Sequence, residues 1–169
     1  MNQGIIQIYC GEGHGKSAAA MGQAIHAASL GKNVVIIRFL KNNEDTEFLK
    51  RLEPEIKVFR FEREEAFYED LTEAEQQEEK VNILNGYNFA KKVLSIGECD
   101  VLILDEILGL VDLGIITCED VIHLIEMKDE SVELIMTGRH LPDELIPYAD
   151  YISRLDIVKG VCPEKPSCM

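Results

Sequence analysis

The sequence contains no tryptophan, no Cys-x-x-Cys pair and no long uninterrupted run of apolar residues. Its longest apolar stretch, VLILDEILGLVDLGII, is broken by Asp105, Glu106 and Asp112, so it is not suited to spanning a bilayer. The first residues, MNQGIIQIYC, show neither a basic leader nor a long apolar segment, and we therefore expect no signal peptide. These features predict a cytoplasmic protein that does not interact with membranes.

Cysteines are few and poorly spaced for pairing. There are five of them, at positions 10, 99, 118, 162 and 168. An odd number without Cys-x-x-Cys spacing is typical of a reduced, cytosolic protein. Cys162 and Cys168 lie in the short tail at residues 161–169, where we expect free thiols. A metal site or a disulfide in that tail is the alternative.

Positive charge is also scarce. The chain has 17 Lys and Arg residues against 31 Asp and Glu residues, a formal net charge of −14. A surface of that sign repels nucleic acids and anionic lipids, so we expect neither as a partner. Any anion that binds must be held at a local positive site. Nine of the acidic residues lie between 62 and 79, which we interpret as a solvated loop running into an exposed helix face.

Short β-rich runs alternate with helical periodicity along the chain. We expect strands at 4–10, 33–40, 55–61, 100–106, 131–138 and 150–158. A first helix should bury Met21, Ala24, Ile25 and Ala28 and end at Gly31, and a long second helix should begin at the Thr72 capping box. Thr117 and Asp120 should open another helix. This alternation predicts an α/β fold, a three-layer α/β/α sandwich with a mostly parallel sheet. Residues 1–160 then form one domain, followed by the tail.

The stretch CGEGHGKS separates the first strand from the first helix. It ends like the phosphate-binding pattern G-x-x-x-x-G-K-[ST], although Cys10 takes the place of the leading glycine. Alternating glycines let the backbone turn its N–H groups inward as an anion nest, and the following helix directs its positive end to the same place. A lysine and a serine add a cation and a hydroxyl for Mg²⁺. We therefore predict a nucleotide site built from Gly11, Glu12, Gly13, His14, Gly15, Lys16 and Ser17.

Two other strand ends carry groups suited to the same ligand. Asp105 and Glu106 follow the buried strand VLIL, and a carboxylate at this place holds Mg²⁺ directly or through water. With Ser17 they are the predicted metal ligands. Arg139 follows the fifth strand in Thr-Gly-Arg, at the edge where parallel sheets bind ligands. We expect Lys16 and Arg139 to act on the phosphates during catalysis.

Residue types alone leave three fates open for the nucleotide: hydrolysis, phosphoryl transfer and adenosyl transfer. The strong negative charge argues against a motor or recombinase core, which needs a basic track. A small-molecule kinase usually closes an arginine-bearing lid over its substrate, but Arg51, Arg60 and Arg63 show no such cluster.

Three stretches in this order resemble the P-loop ATP:corrinoid adenosyltransferases: GEGHGKSAAAMGQA, VLILDEILGLVDLG and LIMTGRHLPDELIPYADYISRL. The resemblance covers about residues 3–160. That family also lacks the leading loop glycine, which accounts for Cys10, and it has an acidic-glycine element like Asp112-Leu113-Gly114.

The resemblance implies a RecA-like P-loop NTPase architecture that binds ATP, Mg²⁺ and a reduced corrinoid, in adenosylcobalamin biosynthesis or salvage. In that family Co(I) attacks C5′ of ATP and expels triphosphate. Lys16 would then neutralise the triphosphate, and Arg139 would offset the charge of the leaving group. A homodimer is also implied, and a flavin-type reductase is a further candidate partner.

The sequence departs from the family in two places. Members of the family usually carry aromatic residues near the corrinoid, and here only Phe67 and Tyr68 in EAFYED could serve in that role. The family's usual glycine-rich tail is replaced by GVCPEKPSCM. Both departures concern the corrinoid, not ATP. Two alternatives therefore stay open, a P-loop kinase or NTPase and a non-catalytic ATP-binding relative.

Overall fold

The structure, a computed structural model, describes residues 4–40 and 46–160. Its strands are β1 (Ile6–Cys10), β2 (Val34–Arg38), β3 (Ile56–Arg60), β4 (Val101–Asp105), β5 (Glu133–Thr137) and β6 (Tyr151–Arg154). Its α-helices are α1 (Lys16–Ser29), α2 (Thr46–Leu49), α3 (Glu73–Ile96), α4 (Ile107–Asp112) and α5 (Cys118–Met127). Three 3₁₀ helices complete the described elements, at Lys50–Leu52, Tyr68–Asp70 and Asp143–Tyr148.

The strands form one six-stranded sheet in the order β3-β2-β4-β5-β1-β6. Every neighbouring pair is parallel. The predicted α/β fold is therefore confirmed, with a sheet that is wholly parallel. Because all strands run the same way, their carboxyl ends lie at one edge, where such sheets bind ligands. In the register of this edge, Arg38 at the end of β2 pairs with Asp105 of β4 and Arg60 of β3.

Alternate strand residues face two separate hydrophobic clusters, one on each side of the sheet. In β2, Val35 and Ile37 belong to the larger cluster with α3, α4 and α5, whereas Val34 and Ile36 belong to the smaller cluster with α1. This is the expected behaviour of strands that are buried on both faces. The two clusters confirm the predicted three-layer sandwich.

The buried face of α1 matches the prediction except at Ile25, since Ala24 is buried and Met21 and Ala28 pack against the smaller cluster. Ala20, Ala24 and Ala27 pack against the sheet, whereas Ile25 is 54% exposed. Three alanines spaced four and three residues apart bring the helix close to the strands. Apolar periodicity placed the larger Ile25 inward because, in a helix this rich in alanine, more than one face satisfies the pattern.

Helix boundaries largely follow the predicted signals. Capping boxes form at Thr72 with Glu75 and at Thr117 with Asp120. Gly31 follows α1 with a φ of 79°, in the left-handed region expected after a helix end. Helix α4 was not predicted, because its apolar sequence continues directly from the buried strand β4.

The last strand is shorter than predicted. It ends at Arg154 instead of 158, because the carbonyl of Leu155 accepts a hydrogen bond from Gly13 N at 2.6 Å. The chain thus leaves the sheet to cover the glycine-rich loop.

Three cysteines fall in the described ranges, namely Cys10, Cys99 and Cys118, and all are free thiols. Burial raises the pKa of Cys99 to about 11, so this thiol stays protonated at neutral pH. Cys162, Cys168 and the rest of the predicted tail lie outside the described residues. Within residues 4–40 and 46–160, no helix combines the length and the apolar composition that crossing a bilayer requires.

The acidic segment is not entirely solvated, as its sequence had indicated. Glu79 of α3 is only 3% exposed. Its carboxylate accepts hydrogen bonds from Arg63 N at 3.0 Å, Glu64 N at 2.8 Å and Asn82 Nδ2 at 2.6 Å. Burial raises the pKa of Glu79, but these hydrogen bonds lower it more, and the pKa lies below its usual value. Glu79 therefore clamps the chain after β3 onto α3.

We expect Glu79→Gln to destabilise the fold by about 1–3 kcal/mol at neutral pH, because an amide NH₂ would face two backbone N–H donors. The pKa of the native carboxyl is lowered, so its contribution is present above the pKa of an unfolded glutamate. That contribution is lost as pH falls through the native pKa. Urea denaturation should show the difference between the two proteins shrinking in acid. The exposed neighbour Glu78→Gln is the control, and an equal effect of both substitutions would contradict the clamp.

Candidate functional site

The glycine-rich loop joins β1 to α1 and is tied to two neighbouring segments. Gly11 N donates to Arg139 O at 2.9 Å, and Gly13 N donates to Leu155 O at 2.6 Å. Gly11 and Gly15 have φ values of 104° and 100°, a conformation that side chains with a Cβ rarely adopt. A Cβ on Gly11 or on Gly13 would also lie 2.5 Å from Leu155 O. Glycine is therefore required here both for conformation and for close approach.

These hydrogen bonds change the expected set of anion donors. We predicted that the glycines let the loop backbone turn its N–H groups inward, but the amides of Gly11 and Gly13 donate to carbonyls of the protein. The amides of Glu12, His14 and Gly15 donate to no other residue in the described part of the chain. Together with the first-turn amides of α1, they form the backbone surface that is available to an anion.

Lys16 lies at the start of α1 and turns back over this loop. Its Nζ donates to Gly13 O at 2.9 Å. The ammonium group is therefore held beside the same backbone surface as the available amides. A cation in this position favours a polyphosphate over a neutral ligand.

Asp105 connects three strands and α1 at the carboxyl edge of the sheet. Its Oδ1 accepts hydrogen bonds from Ser17 Oγ at 2.8 Å and from Thr137 Oγ1 at 2.7 Å. Its Oδ2 lies 3.5 Å from Arg38 Nε. The residue is only 3% exposed, so its charge depends on these partners. The predicted Ser17 and Asp105 are thus brought together, and Thr137 takes part in the same network.

Arg38 was not predicted to belong to the site. Its side chain is 10% exposed, and it supplies the counter-charge for Asp105. The available signal was a charged residue at the end of the otherwise apolar strand VVIIR. Its partner is 67 positions away in the sequence, so only the strand order reveals the pair.

Backbone strain is concentrated next to this network. Leu40, just after β2, and Glu106, just after β4, have φ values of 54° and 64°. Such conformations are unfavourable for residues other than glycine and are common at functional sites. Glu106 N donates to Thr137 Oγ1 at 2.7 Å, which helps to hold the turn. Gly138 is required nearby because its Cβ would lie 2.3 Å from Leu108 Cβ.

Two of the three predicted metal ligands are in direct contact. Ser17 and Asp105 are in contact, whereas the side chain of Glu106 folds towards Gly109 of α4. No cluster of three His, Cys, Asp or Glu side chains suited to a metal occurs among residues 4–40 and 46–160. A serine hydroxyl beside one carboxylate nevertheless fits Mg²⁺, which usually binds few protein groups and keeps water and substrate phosphates as its other ligands.

Arg139 and His140, which follow β5, contact the first residues of the loop. The guanidinium group of Arg139 forms no ion pair within the described residues, and its backbone holds Gly11. His140 lies between Glu12 of the loop and Asp112 at the end of α4. The structure therefore places Arg139 beside the loop, as predicted, and adds His140, which the sequence gave no reason to select.

Phe67 and Tyr68 lie at the carboxyl edge of the sheet, beside the ends of β2 and β3. Phe67 is 37% exposed, and Tyr68 packs against the larger hydrophobic cluster. They border a small cavity that opens to solvent. Its lining includes Leu40, Arg60, Glu62, Phe67, Tyr68 and Glu79.

Polar atoms beside this cavity have unmet hydrogen-bonding capacity. Arg60 Nε and Glu62 Oε2 are buried without a partner among the residues described. Burial raises the pKa of Glu62, although a hydrogen bond from Leu40 N opposes that effect. An unsatisfied buried polar group costs about 1–3 kcal/mol, so water or a polar ligand group is favoured here.

The parallel sheet, the loop after β1, and Ser17 in contact with Asp105 define a P-loop nucleotide-binding protein of RecA-like architecture. Two solved structures share this fold. The KaiC-like protein PH0186 from Pyrococcus horikoshii matches with a TM-score of 0.64 and 17% identity over 95% of this chain and 76% of that one. The flagellar accessory protein FlaH from Methanocaldococcus jannaschii matches with a TM-score of 0.58 and 18% identity over 91% of this chain and 72% of that one.

The chain belongs to the ATP:corrinoid adenosyltransferase family BtuR/CobO/CobP, which matches residues 2–165. It is 28% identical to the corrinoid adenosyltransferase of Escherichia coli K12 over 93% of this chain and 79% of that protein. It is 27% identical to the corrinoid adenosyltransferase CobA of Salmonella typhimurium over 93% of this chain and 79% of that protein. The uncharacterized protein all2391 of Nostoc is 33% identical over 90% of this chain, which spans only 43% of that longer protein.

We expect Arg38→Met to destabilise the fold by about 3 kcal/mol, because it leaves the Asp105 carboxylate buried without a counter-charge. Adding Asp105→Asn should recover part of that loss, since an amide oxygen still accepts from Ser17 and Thr137. Urea denaturation of both single variants and the double variant measures the coupling. The exposed Arg51→Met is the control, and additive effects of the two site substitutions would contradict the ion pair.

Proposed function

We propose that this chain transfers the 5′-deoxyadenosyl group of ATP to the Co(I) centre of a reduced corrinoid and releases triphosphate. The contact between Ser17 and Asp105 carries the proposal, because it joins the phosphate-binding loop to the buried carboxylate of β4. Membership of the corrinoid adenosyltransferase family supports the same reaction. The proposed setting is the cytoplasm, with a homodimer as the active form and a flavin-type reductase as the source of Co(I).

The polyphosphate would bind at the loop. The available amides of Glu12, His14 and Gly15 would donate to its oxygens, and α1 would direct its positive end towards it. The ammonium group of Lys16, now on Gly13 O, would move a short distance onto the phosphates. Arg139 would add a second cation from the β5 side. These groups compensate locally for a chain whose net charge is −14.

Mg²⁺ bound with the nucleotide would be held by Ser17 Oγ and, through water, by Asp105. When bound, it would neutralise part of the polyphosphate charge. The ion pair with Arg38 limits the negative charge that Asp105 offers, which favours a water-mediated role over direct ligation. Glu106 is the less suitable ligand, since its side chain folds along α4.

The reaction requires no general base from the protein. Co(I) would supply the electron pair for the new cobalt–carbon bond, and the C5′–oxygen bond would break with its electron pair going to triphosphate. The charge that develops on that leaving group would be stabilised by Lys16 and the loop amides, with Arg139 as the proposed second cation. One preorganised contact of this kind contributes ~3 kcal/mol, roughly a hundredfold in rate.

The corrinoid would lie over the cavity that Phe67 and Tyr68 border. The cavity is small and open to solvent, so it would receive only part of such a large molecule. The exposed ring of Phe67 offers an apolar surface, and Arg60 and Glu62 offer polar groups.

The decisive experiment supplies ATP, Mg²⁺ and chemically reduced corrinoid, follows the cobalt spectrum and identifies the phosphate product. Formation of the alkylated corrinoid together with triphosphate is expected. Release of inorganic phosphate without alkylation would instead identify an NTPase, and transfer of phosphate to an acceptor a kinase. Binding of Mg-ATP with unchanged Co(I) would identify a non-catalytic relative.

We expect Lys16→Ala to weaken Mg-ATP binding at least ~100-fold while the fold persists, because the loop loses its only lysine at the phosphate surface. Calorimetric titration with Mg-ATP measures the affinity, and circular dichroism checks the fold. Lys92→Ala, on the exposed face of α3, is the matched control. Wild-type affinity in the Lys16 variant would reject the loop assignment.

We expect Phe67→Ala to raise the corrinoid KM roughly threefold to tenfold and to leave the affinity for Mg-ATP unchanged, because the ring lies beside the cavity and not at the loop. Phe67→Leu is the matched variant, since it keeps apolar volume without an aromatic face. Parallel losses in corrinoid and ATP binding would refute the assignment of this ring to the corrinoid.

A further inference from the structure

His140 bridges two carboxylates at the rim of the phosphate-binding loop. Its Nδ1 lies 2.9 Å from Asp112 Oδ2, and its Nε2 lies 3.3 Å from Glu12 Oε1. Glu12 is the one acidic residue in the stretch CGEGHGKS, and Asp112 is the last residue of α4. The bridge therefore links the loop after β1, the segment after β5 and the end of α4.

The position of the bridge is set by the backbone. Gly11 N donates to Arg139 O at 2.9 Å, and Gly138 N donates to Tyr9 O at 3.2 Å. Each of these hydrogen bonds joins the end of β1 to the end of β5. Glu12 and His140, one residue further along each segment, are consequently held next to each other.

The protonation state of His140 follows from this geometry. A neutral imidazole has one N–H, whereas both ring nitrogens here face carboxylate oxygens. Nδ1 is hydrogen-bonded to Asp112, and the contact of Nε2 with Glu12 is an ion pair that only the imidazolium can form. The hydrogen bond and charge of Asp112 raise the pKa of His140 most, Glu12 raises it further, and slight burial and the charge of Arg139 lower it. The net effect is a raised pKa, which favours the charged form near neutral pH.

Glu12 poses a problem for an anion site, because its negative charge belongs to the loop that would surround the polyphosphate. We propose that His140 is a positioning residue of the nucleotide site that neutralises Glu12 and holds its carboxylate at the rim beside Asp112. This inference rests on the proposed binding of ATP to the loop. It makes nucleotide affinity depend on a proton that takes no part in the chemistry.

The direction of the pH dependence follows. Because the pKa of His140 is raised, the bridge is complete below that pKa and is lost as pH rises through it. Above it, Glu12 would repel the polyphosphate without compensation. The side chains of His140 and Glu12 are 67% and 62% exposed, so solvent and salt screen the effect. We therefore expect Mg-ATP affinity to fall only about threefold to fivefold with rising pH.

The test is calorimetric titration of the full chain with Mg-ATP from about pH 6 to about pH 9. Wild-type protein should bind more weakly at high pH and should take up protons on binding near the pKa of His140. His140→Gln should show the weaker affinity at every pH and no such uptake. Adding Glu12→Gln to that variant should restore the affinity, because the uncompensated charge is then removed. His123→Gln, on the exposed face of α5, is the matched control.

A readout without nucleotide completes the design. The NMR titration of the His140 ring should give a pKa above its usual value, and Asp112→Asn should lower that pKa. Equal Mg-ATP affinity of wild type and His140→Gln at every pH would overturn the inference and leave the proposed function intact. Failure of Glu12→Gln to restore a weakened His140 variant would also overturn it, since the role would then be structural. Absence of Mg-ATP binding in all variants would overturn both proposals.

Discussion

The buried carboxylate of Asp105 is the interaction on which the rest of the site depends. Through Ser17 it fixes the start of α1, through Thr137 the end of β5, and through Arg38 the end of β2. A charge that is 3% exposed is tolerated only when it is paired and hydrogen-bonded, so these partners cannot vary independently. The phosphate-binding loop lies between the start of α1 and the end of β5. Its shape is therefore set by the strand ends as well as by its glycines.

A chain with a net charge of −14 confines the binding of an anion to a small region. The attraction must act at short range, because electrostatic interactions at a surface are screened over about 8 Å at physiological ionic strength. Backbone amides and the positive end of α1 meet this requirement without changing the net charge. Among the cations at this edge, the ammonium group of Lys16 lies on the loop, whereas Arg38 balances Asp105. His140 balances Glu12 in the same way, so part of the positive charge here compensates for the protein's own carboxylates.

The parts of the molecule that depend on local sequence were predictable. Strand positions, the two capping boxes and the glycine-lysine-serine loop all follow from neighbouring residues, and the structure contains them. The missed features arise from long-range contacts. Leu155 covers a loop more than 140 positions earlier in the chain, and Arg38 meets Asp105 through strand order. Glu79 resembled a solvated charge because two of its three hydrogen-bond partners are backbone N–H groups, which leave no trace in the sequence. Ile25 was misplaced because alanines form the closer contact with the sheet.

The Asp105 network and the cavity are connected through the end of β2. Arg38 pairs with Asp105 on the nucleotide side, and two residues later Leu40 N donates to Glu62 at 2.9 Å beside the cavity. Leu40 has a φ of 54°, so the chain between these contacts is held in a strained conformation from both ends. Neighbouring strands lie about 4.8 Å apart, which places β2 one spacing from β4 and three from β1. The cavity and the ion pair of Asp105 are therefore only two residues apart along one strand end.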